Sequence, residues 1–409
     1  MHLQHLLSLT IPLTSFWLLT ASAAGQEPLS FTIELTAPTK LFDGRYSWCH
    51  PRAGTIPPHV PGNNSDQPVV VMTMQRIELS GSDVFDGLKM MRTDDLGRTW
   101  QGPTPLPGFE RRPFNEKLEI TVCDFTPRWH ATSGKLLGTG HTVVYGNNRV
   151  LSVRPRATAY SAYDPVTRKW APWRTLEMPS EPRFANSGAG STQRLDLANG
   201  DLLLPIYFKE PSASKYASTV VRCRFDGETL RYVEHGSELT VDADRGLYEP
   251  SITRYGDGFY LTMRNDVTGY VAVSTDGLHY GEPRPWTWDD GSDLGSYNTQ
   301  QHWVVHSDAL FLVYTRRGAN NDHVMRHRAP LFIAEVDPLK LCVVRSTERE
   351  LMPNRGARLG NFAVTEVSPQ ETWVTDAEWM QPKGVENYGS DGSVWVSKIR
   401  WSRPNLSAR

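Results

Sequence analysis

Cysteine is scarce: Cys49, Cys123, Cys223 and Cys342 are the only four in 409 residues. None has the spacing of a metal-ligand set, so no metal site is expected from them. In an exported chain they leave two options open. One is a disulfide, with Cys49–Cys123 the candidate because both lie near predicted inner strands of adjacent repeats. The other is a set of buried free thiols. Charge of one sign is missing as well. Lys and Arg total 43 against 45 Asp and Glu, a net charge of -2. That balance gives no reason to expect nucleic acid or an anionic membrane as a partner. Helical periodicity is rare, and no linker or low-complexity segment interrupts residues 28–402, which read as one domain. Beyond the amino-terminal segment no apolar run is long enough to span a bilayer.

That segment, Leu6 to Ala24, ends in Ala21-Ser22-Ala23, a small-residue cleavage pattern, and abuts polar Gly25-Gln26-Glu27. It reads as a signal peptide over residues 1–24, which implies a secreted or periplasmic protein with no membrane contact after cleavage. A membrane anchor is the alternative, but the run is short and contains Pro12. Asn63-Asn64-Ser65 is a glycosylation sequon that matters only where secreted proteins are glycosylated. What the chain has in abundance is 13 Trp, 29 Pro and 32 Gly, the composition of many short strands and turns.

One turn recurs. Thr93-Asp94-Asp95-Leu96-Gly97-Arg98-Thr99-Trp100 follows the apolar run Leu88–Met91. Ser274-Thr275-Asp276-Gly277-Leu278-His279-Tyr280 follows Tyr270–Val273, one residue shorter. Ser161-Ala162-Tyr163-Asp164, closing on Trp170, follows Ala157–Tyr160 as a degraded third copy. An Asp beside Gly accepts backbone N–H groups in a tight turn, Gly supplies positive φ, and the aromatic covers the next hairpin. This resembles the Asp-box, or bacterial neuraminidase repeat, of sialidase-like β-propellers. In that family the boxes lie on the face away from the active site, so they speak to architecture.

Strands read from β-branched and aromatic runs form a repeating unit. The units begin at Arg45–Cys49, Leu118–Asp124, Ser191–Leu195, Glu249–Arg254, Gln301–Val305 and Asn361–Val367. The resulting expectation is an all-β, six-bladed β-propeller. Phe31–Leu35 is expected as the outer strand of the last blade, where it would close the ring and hide a sheet edge. Trp100 and Tyr280 are expected to be buried on the face opposite the site.

The fourth repeat matches the sialidase pattern best. Glu249 opens its inner strand and Arg264 ends the next, where sialidases place a Glu and the second Arg of a carboxylate-binding triad. A structural ion pair between the two is the alternative. The fifth repeat carries Arg316-Arg317-Gly318 and then Arg326-His327-Arg328, a density of cations that suits an anionic ligand, or else a solvated loop. Arg316 and Arg328 flank it. In the first repeat Arg45 and Arg52 are candidates for the first triad Arg, although the family's Arg-Ile-Pro motif is absent, and His50 is a candidate acid or base. Asp83 or Asp86 stands where a sialidase keeps its general acid, with a plain turn role as competitor, above all for Asp86 before Gly87. Cys123-Asp124 and His141 come from the second repeat, His141 with catalytic and core readings both open. Gln301, His302 and Asn361 are candidates to bond sugar hydroxyls. The last repeat lacks the family's Tyr nucleophile. Tyr388, Tyr46 and Tyr248 are the possible substitutes.

The resemblance therefore implies a secreted, exo-acting glycoside hydrolase that cleaves a terminal acidic sugar, a sialic acid or a uronate, from an oligosaccharide or polysaccharide. An Arg clamp would hold the carboxylate and carboxylates would do the acid–base work, with no cofactor required. A propeller polysaccharide lyase using His and Tyr is the alternative. A non-catalytic glycan-binding propeller, stacking Trp on sugars, is a further one.

Overall fold

Leu202, Leu203 and Leu204 are consecutive in one strand yet feed two different cores. Leu202 and Leu204 pack with Leu137 and Tyr160, while Leu203 packs with Val220, Ile252 and Leu261. Side chains alternate across a strand, so a strand covered on both faces reads as an unbroken apolar run. Phe311 and Val313 likewise turn toward Val374 and Ile399, and Leu310 and Leu312 toward Tyr260 and Val271.

These cores separate sheets. The computed structural model describes residues 27–152 and 154–407, and the expected signal peptide lies outside the described residues. Among the described residues the strands form six antiparallel sheets. The inner strands are Tyr46–Ile56, Leu118–His130, Tyr248–Tyr255, His302–His306 and Ala363–Ser368. In the third sheet two short pieces, Ser187–Gly188 and Leu195–Asp196, take that place. Neighbouring sheets touch in sequence order, and the sixth returns to pack on the first. Apolar clusters fill every gap, including Trp48, Val70 and Met72 of the first sheet against Trp373 and Val394 of the sixth. The architecture is all-β and propeller-like. No helix of the described residues is long and apolar enough to cross a membrane.

Phe31–Lys40 pairs antiparallel with Ser393–Trp401, from Phe31 opposite Trp401 to Lys40 opposite Ser393. The first described strand is thus the outer strand of the last sheet, joining the two ends of the chain. The third sheet departs from expectation. Ser191–Leu195 is not a strand, because Gly188-Ala189-Gly190 runs hard against the second sheet. A Cβ on Gly190 would stand 1.7 Å from His141 Nδ1. Only glycine permits that approach, and regular pairing gives way there.

The recurrent turns are built as their residues suggest. Asp95 accepts the Thr99 N–H at 2.9 Å and hydroxyls of Thr93 and Thr99 at 2.8 and 2.6 Å. Asp276 accepts the N–H groups of Leu278 and His279, both at 2.8 Å, and the Ser274 hydroxyl at 2.9 Å. Asp164 accepts two N–H groups in the third turn. Tyr280 is buried, but Trp100 is only half-buried, its ring 6.0 Å from that of Trp373. All four cysteines are free and buried, so Cys49 and Cys123 share an apolar cluster without a bond. Asn63 of the sequon is buried, its Nδ2 donating to the carbonyls of Ile56, Pro57 and Gln67.

Replacing Asp276 by Ala removes these three bonds and a fourth, to His279 Nδ1 at 2.7 Å, from a turn that lies outside the pocket described below. We expect a loss of about 1–2 kcal/mol in a denaturant titration, with ligand binding at the pocket unchanged. A larger loss of binding than of stability would contradict that separation.

Candidate functional site

The inner strands are broken at matching points. Register shifts lie between Cys49 and Arg52, Cys123 and Thr126, and Tyr248 and Ser251. Within each bulge a non-glycine residue holds positive φ: His50 at 52°, Asp124 at 53° and Glu249 at 48°. Ser191 at 57° and Asn298 at 52° stand at the corresponding places of the third and fifth sheets, and Gly360 at 137° before the inner strand of the sixth. Such conformations cost roughly 1–3 kcal/mol each and persist only where the surroundings impose them. Bulges re-aim side chains. Here they turn His50, Asp124, Ser191 and Glu249 into one pocket of about 1090 Å³.

Arg52 lies beneath this ring of residues and is fully buried. Its Nη2 donates to Asp124 Oδ1 at 3.0 Å, Ser191 Oγ at 3.1 Å and Gln300 Oε1 at 3.2 Å, and Nη1 to the Phe362 carbonyl at 3.3 Å. One guanidinium thereby ties the first sheet to the second, third, fifth and sixth. The fourth joins through Ser251 and His302 Nδ1, 2.8 Å apart, with His302 Nε2 2.9 Å from Gln300.

Asp124 is the hub above it. Its Oδ1 also meets Ser191 Oγ at 2.6 Å and His50 Nε2 at 3.2 Å, and Oδ2 lies 3.6 Å from His141 Nε2. Burial pushes its carboxyl up, but His50, Arg52, His141 and Ser191 outweigh that and hold it well below the usual carboxylate range. The imidazoles go the other way. Burial lowers His50 against the pull of Asp124. Burial and Arg156 bring His141 down to about 3, and burial and Arg52 do the same for His302. All three are neutral at pH 7. His141 Nδ1 is 3.5 Å from the Tyr207 hydroxyl, which extends the chain of polar groups into the pocket.

The pocket walls are cationic. Arg264 Nη1 holds both Glu249 oxygens at 2.7 Å, and Nη2 donates to Asn298 Oδ1 at 2.6 Å. Arg328 is buried and donates to the Asn298 carbonyl. Arg358 is buried over the Trp379 ring at 4.0 Å and donates to Gln381. Arg156 is buried over the Tyr207 ring at 4.7 Å. Among the described residues none of these last three has a carboxylate within 4.0 Å. Burial and the neighbouring Arg264, Arg326 and Arg358 lower Arg328, and burial and Arg326 lower Arg358 to about 10. At Arg328 and Arg358 burial works against the charged form, and an anion would relieve that cost, whereas Arg264 and Arg156 are shifted the other way by their neighbours.

Of the residues singled out by sequence, His50, His141, Glu249, Asp83, Arg45, Arg264, Arg328 and Asn361 line this pocket. Arg45 sits at its rim, exposed and 3.4 Å from Glu78. Five others lie elsewhere. Asp86 takes the Arg76 N–H and the side chains of Arg76 and Lys89, as a turn carboxylate. Arg316 is turned away onto Glu348, with both carboxylate oxygens engaged at 2.7 and 2.6 Å. Gln301 bonds Thr262 and Ser296 inside the sheet packing. Arg52 and His302 belong to the buried network below the pocket. Tyr248 lines the pocket, donating to Asp266 at 2.5 Å. Tyr388 is exposed and stacks on His323, and Tyr46 lies under Arg45 and Arg76. Sequence reasoning missed Arg156, Arg358 and Tyr207. A signal existed for Arg156: Arg154-Pro155-Arg156 precedes the third strand of its sheet as Arg326-His327-Arg328 does in the fifth.

Cys123, Asp124 and His141 offer donor atoms within 4.8 Å of one another, the one such group among the described residues. Burial raises the Cys123 thiol well above its ordinary range, and Asp124 is already bound to Arg52 and Ser191. A cation there would have to displace a guanidinium, so the trio fits a hydrogen-bond hub better than a metal centre.

No family model matches the sequence, and no curated protein matches it. Solved structures do. A protein of unknown function from Dyadobacter fermentans is 14% identical with a TM-score of 0.60, over 90% of this chain and 99% of its own. A Trypanosoma rangeli sialidase is 14% identical with a TM-score of 0.56, over 87% of this chain and 55% of its own. The same enzyme in complex with sialic acid gives 12% and 0.55, over 91% and 58%. The NanB sialidase of Streptococcus pneumoniae gives 10% and 0.55, over 91% and 71%. At these identities the likeness is one of fold. The chain spans little more than half the length of the Trypanosoma sialidases it resembles.

The three neutral imidazoles set a pH dependence. Each has a folded pKa below the unfolded value of 6.5, so their stability is present above that pH and lost as pH falls toward 3. Buried Asp376, pushed up to about 7 by burial, opposes them, as do Glu366 and Glu378, whose carboxyls burial also raises. Each unmatched proton is worth about 1.4 kcal/mol per pH unit. His302→Gln should therefore lose less stability than the wild type between pH 7 and pH 4.5 in denaturant titrations of the two proteins. An identical loss in the two proteins over this range would contradict the burial of a neutral His302.

Proposed function

We propose that this chain is a secreted, exo-acting glycoside hydrolase that removes a terminal acidic sugar, a sialic acid or a uronate, from a glycan. In this reading the six sheets are the blades of one ring, and the recurrent Asp turns are Asp-boxes on its far face. The observation that carries it is the pair Arg328 and Arg358: two buried guanidiniums, free of carboxylates among the described residues, on the wall of an open pocket beside Arg264. Uncompensated buried cations are costly, and a bidentate carboxylate ligand removes that cost.

The chemistry follows from placement. A sugar carboxylate seated among Arg264, Arg328 and Arg358 takes part of Arg264's charge away from Glu249. Glu249 is then the carboxylate that faces the developing oxocarbenium ion or activates water. In this reading Asp83, which lines the pocket, is partly exposed and lies 3.5 Å from Arg154, protonates the leaving oxygen. The fold likeness to sialidases supports the reading without deciding substrate or mechanism.

A second reading has its own observation. His50, Asp124, His141 and Tyr207 form a continuous polar chain with neutral imidazoles, as β-elimination from a uronate requires. There one group takes the proton beside the carboxylate and a hydroxyl protonates the leaving oxygen. Product analysis on acidic glycans separates the two. Hydrolysis releases a saturated sugar, and Glu249→Gln lowers turnover by about 10²-fold or more while binding survives. An ultraviolet-absorbing unsaturated uronate, abolished by His141→Ala but kept by Glu249→Gln, would replace hydrolysis by elimination.

A further inference from the structure

The arginines without carboxylate partners stand on two sides of the pocket. Arg328 and Arg358 belong to the fifth and sixth sheets, while Arg156 comes from the second and leans on Tyr207 of the third. Arg156 is 8% exposed, and its Nη1 is buried with no hydrogen-bond partner among the described residues. Its place is built. The guanidinium lies over Tyr207 at 4.7 Å and Tyr216 at 6.0 Å, and Lys209 sits over the other ring at 5.2 Å. Gly188 passes so close that a Cβ would meet Arg156 Cδ at 3.0 Å. Glu249, the carboxylate across the pocket, has both oxygens on Arg264. A cation held rigidly, desolvated and unpaired at a pocket wall is arranged for an anion that arrives with the ligand.

We infer that Arg156, with Lys209 beside it, forms a second oxyanion subsite, so that the preferred glycan carries two negative groups. One is the carboxylate of the terminal sugar at Arg328 and Arg358. The other is a sulfate ester or a second carboxylate on the adjoining unit. This rests on the acidic-sugar reading above and narrows its substrate class. The volume of about 1090 Å³ exceeds the usual span of single small-ligand pockets, roughly 300–1,000 Å³, and leaves room for more than one sugar ring.

The test uses non-cleavable S-linked disaccharides bound to the full chain and followed by calorimetry. Sialyl and hexuronyl versions are each prepared with one carboxylate, with an added sulfate ester, and with a second carboxylate. The wild type should bind at least one doubly charged form about tenfold or more tighter than its singly charged parent, and the tighter form identifies the second group. Arg156→Gln should erase that preference and leave the singly charged parent within about twofold. Arg358→Gln should weaken both forms. Because Arg156 is unpaired in the free protein, Arg156→Gln should leave the melting temperature unchanged or raise it.

Equal affinity for singly and doubly charged forms in the wild type would overturn the second subsite while leaving the acidic-sugar reading in place. A lowered melting temperature with equal losses on all ligands would make Arg156 structural and also overturn it. Failure of every acidic form to bind would remove the acidic-sugar reading, and the subsite with it.

Discussion

Everything at the mouth of this fold depends on the buried pair of Arg52 and Asp124. Two charges taken out of water repay their desolvation only with close geometry and further hydrogen bonds around them. Arg52 reaches Asp124, Ser191, Gln300 and the Phe362 carbonyl, and Asp124 adds His50 and His141. Removing either partner would strand the other, a loss of about 3–5 kcal/mol for a buried pair. Five sheets meet at one guanidinium, so the point where they converge is also a polar keystone.

That keystone explains how strain is kept at the site. His50, Asp124, Ser191 and Glu249 all hold positive φ without being glycine, and three of them are followed two residues later by a side chain that anchors inward: Arg52 after His50, Gln193 after Ser191 and Ser251 after Glu249. Gln193 Nε2 donates to the Trp303 carbonyl at 3.0 Å, and Ser251 Oγ reaches His302. The inward residue fixes the strand below the bulge, and the bulged residue is left to face the pocket. A scaffold of flat apolar strands thereby presents polar groups at nearly equivalent positions from sheet to sheet.

Much of the scaffold could be read from residue order. Apolar runs such as Leu202–Phe208 mark strands buried on both faces, and the Asp–Gly turns mark hairpins. The outer position of Phe31–Leu35, the first half of the observed strand Phe31–Lys40, follows from the need to cover an edge. The site was legible only where a charged residue interrupts an apolar strand, as with Glu249 and Arg264. Arg156 and Arg358 lie in connections whose course depends on three-dimensional packing, so their residue types alone did not set them apart. Arg316 and Asp86 show the converse. Both sit in charge-rich, turn-like stretches, and both are neutralised by partners, Glu348 and Arg76 with Lys89, that no local pattern predicts. The residues around Ser191 have a strand-like pattern, whereas the approach of Gly190 to His141 that breaks the strand is a tertiary constraint.

We propose that unpaired arginines make this pocket a receptor for an acidic sugar. It is tested most directly by the affinity of one sugar acid and of its methyl ester, each measured at low and high salt. The account predicts that the free acid binds at least about tenfold tighter than the ester and that salt narrows the gap. Equal affinities for acid and ester, insensitive to salt, would contradict it.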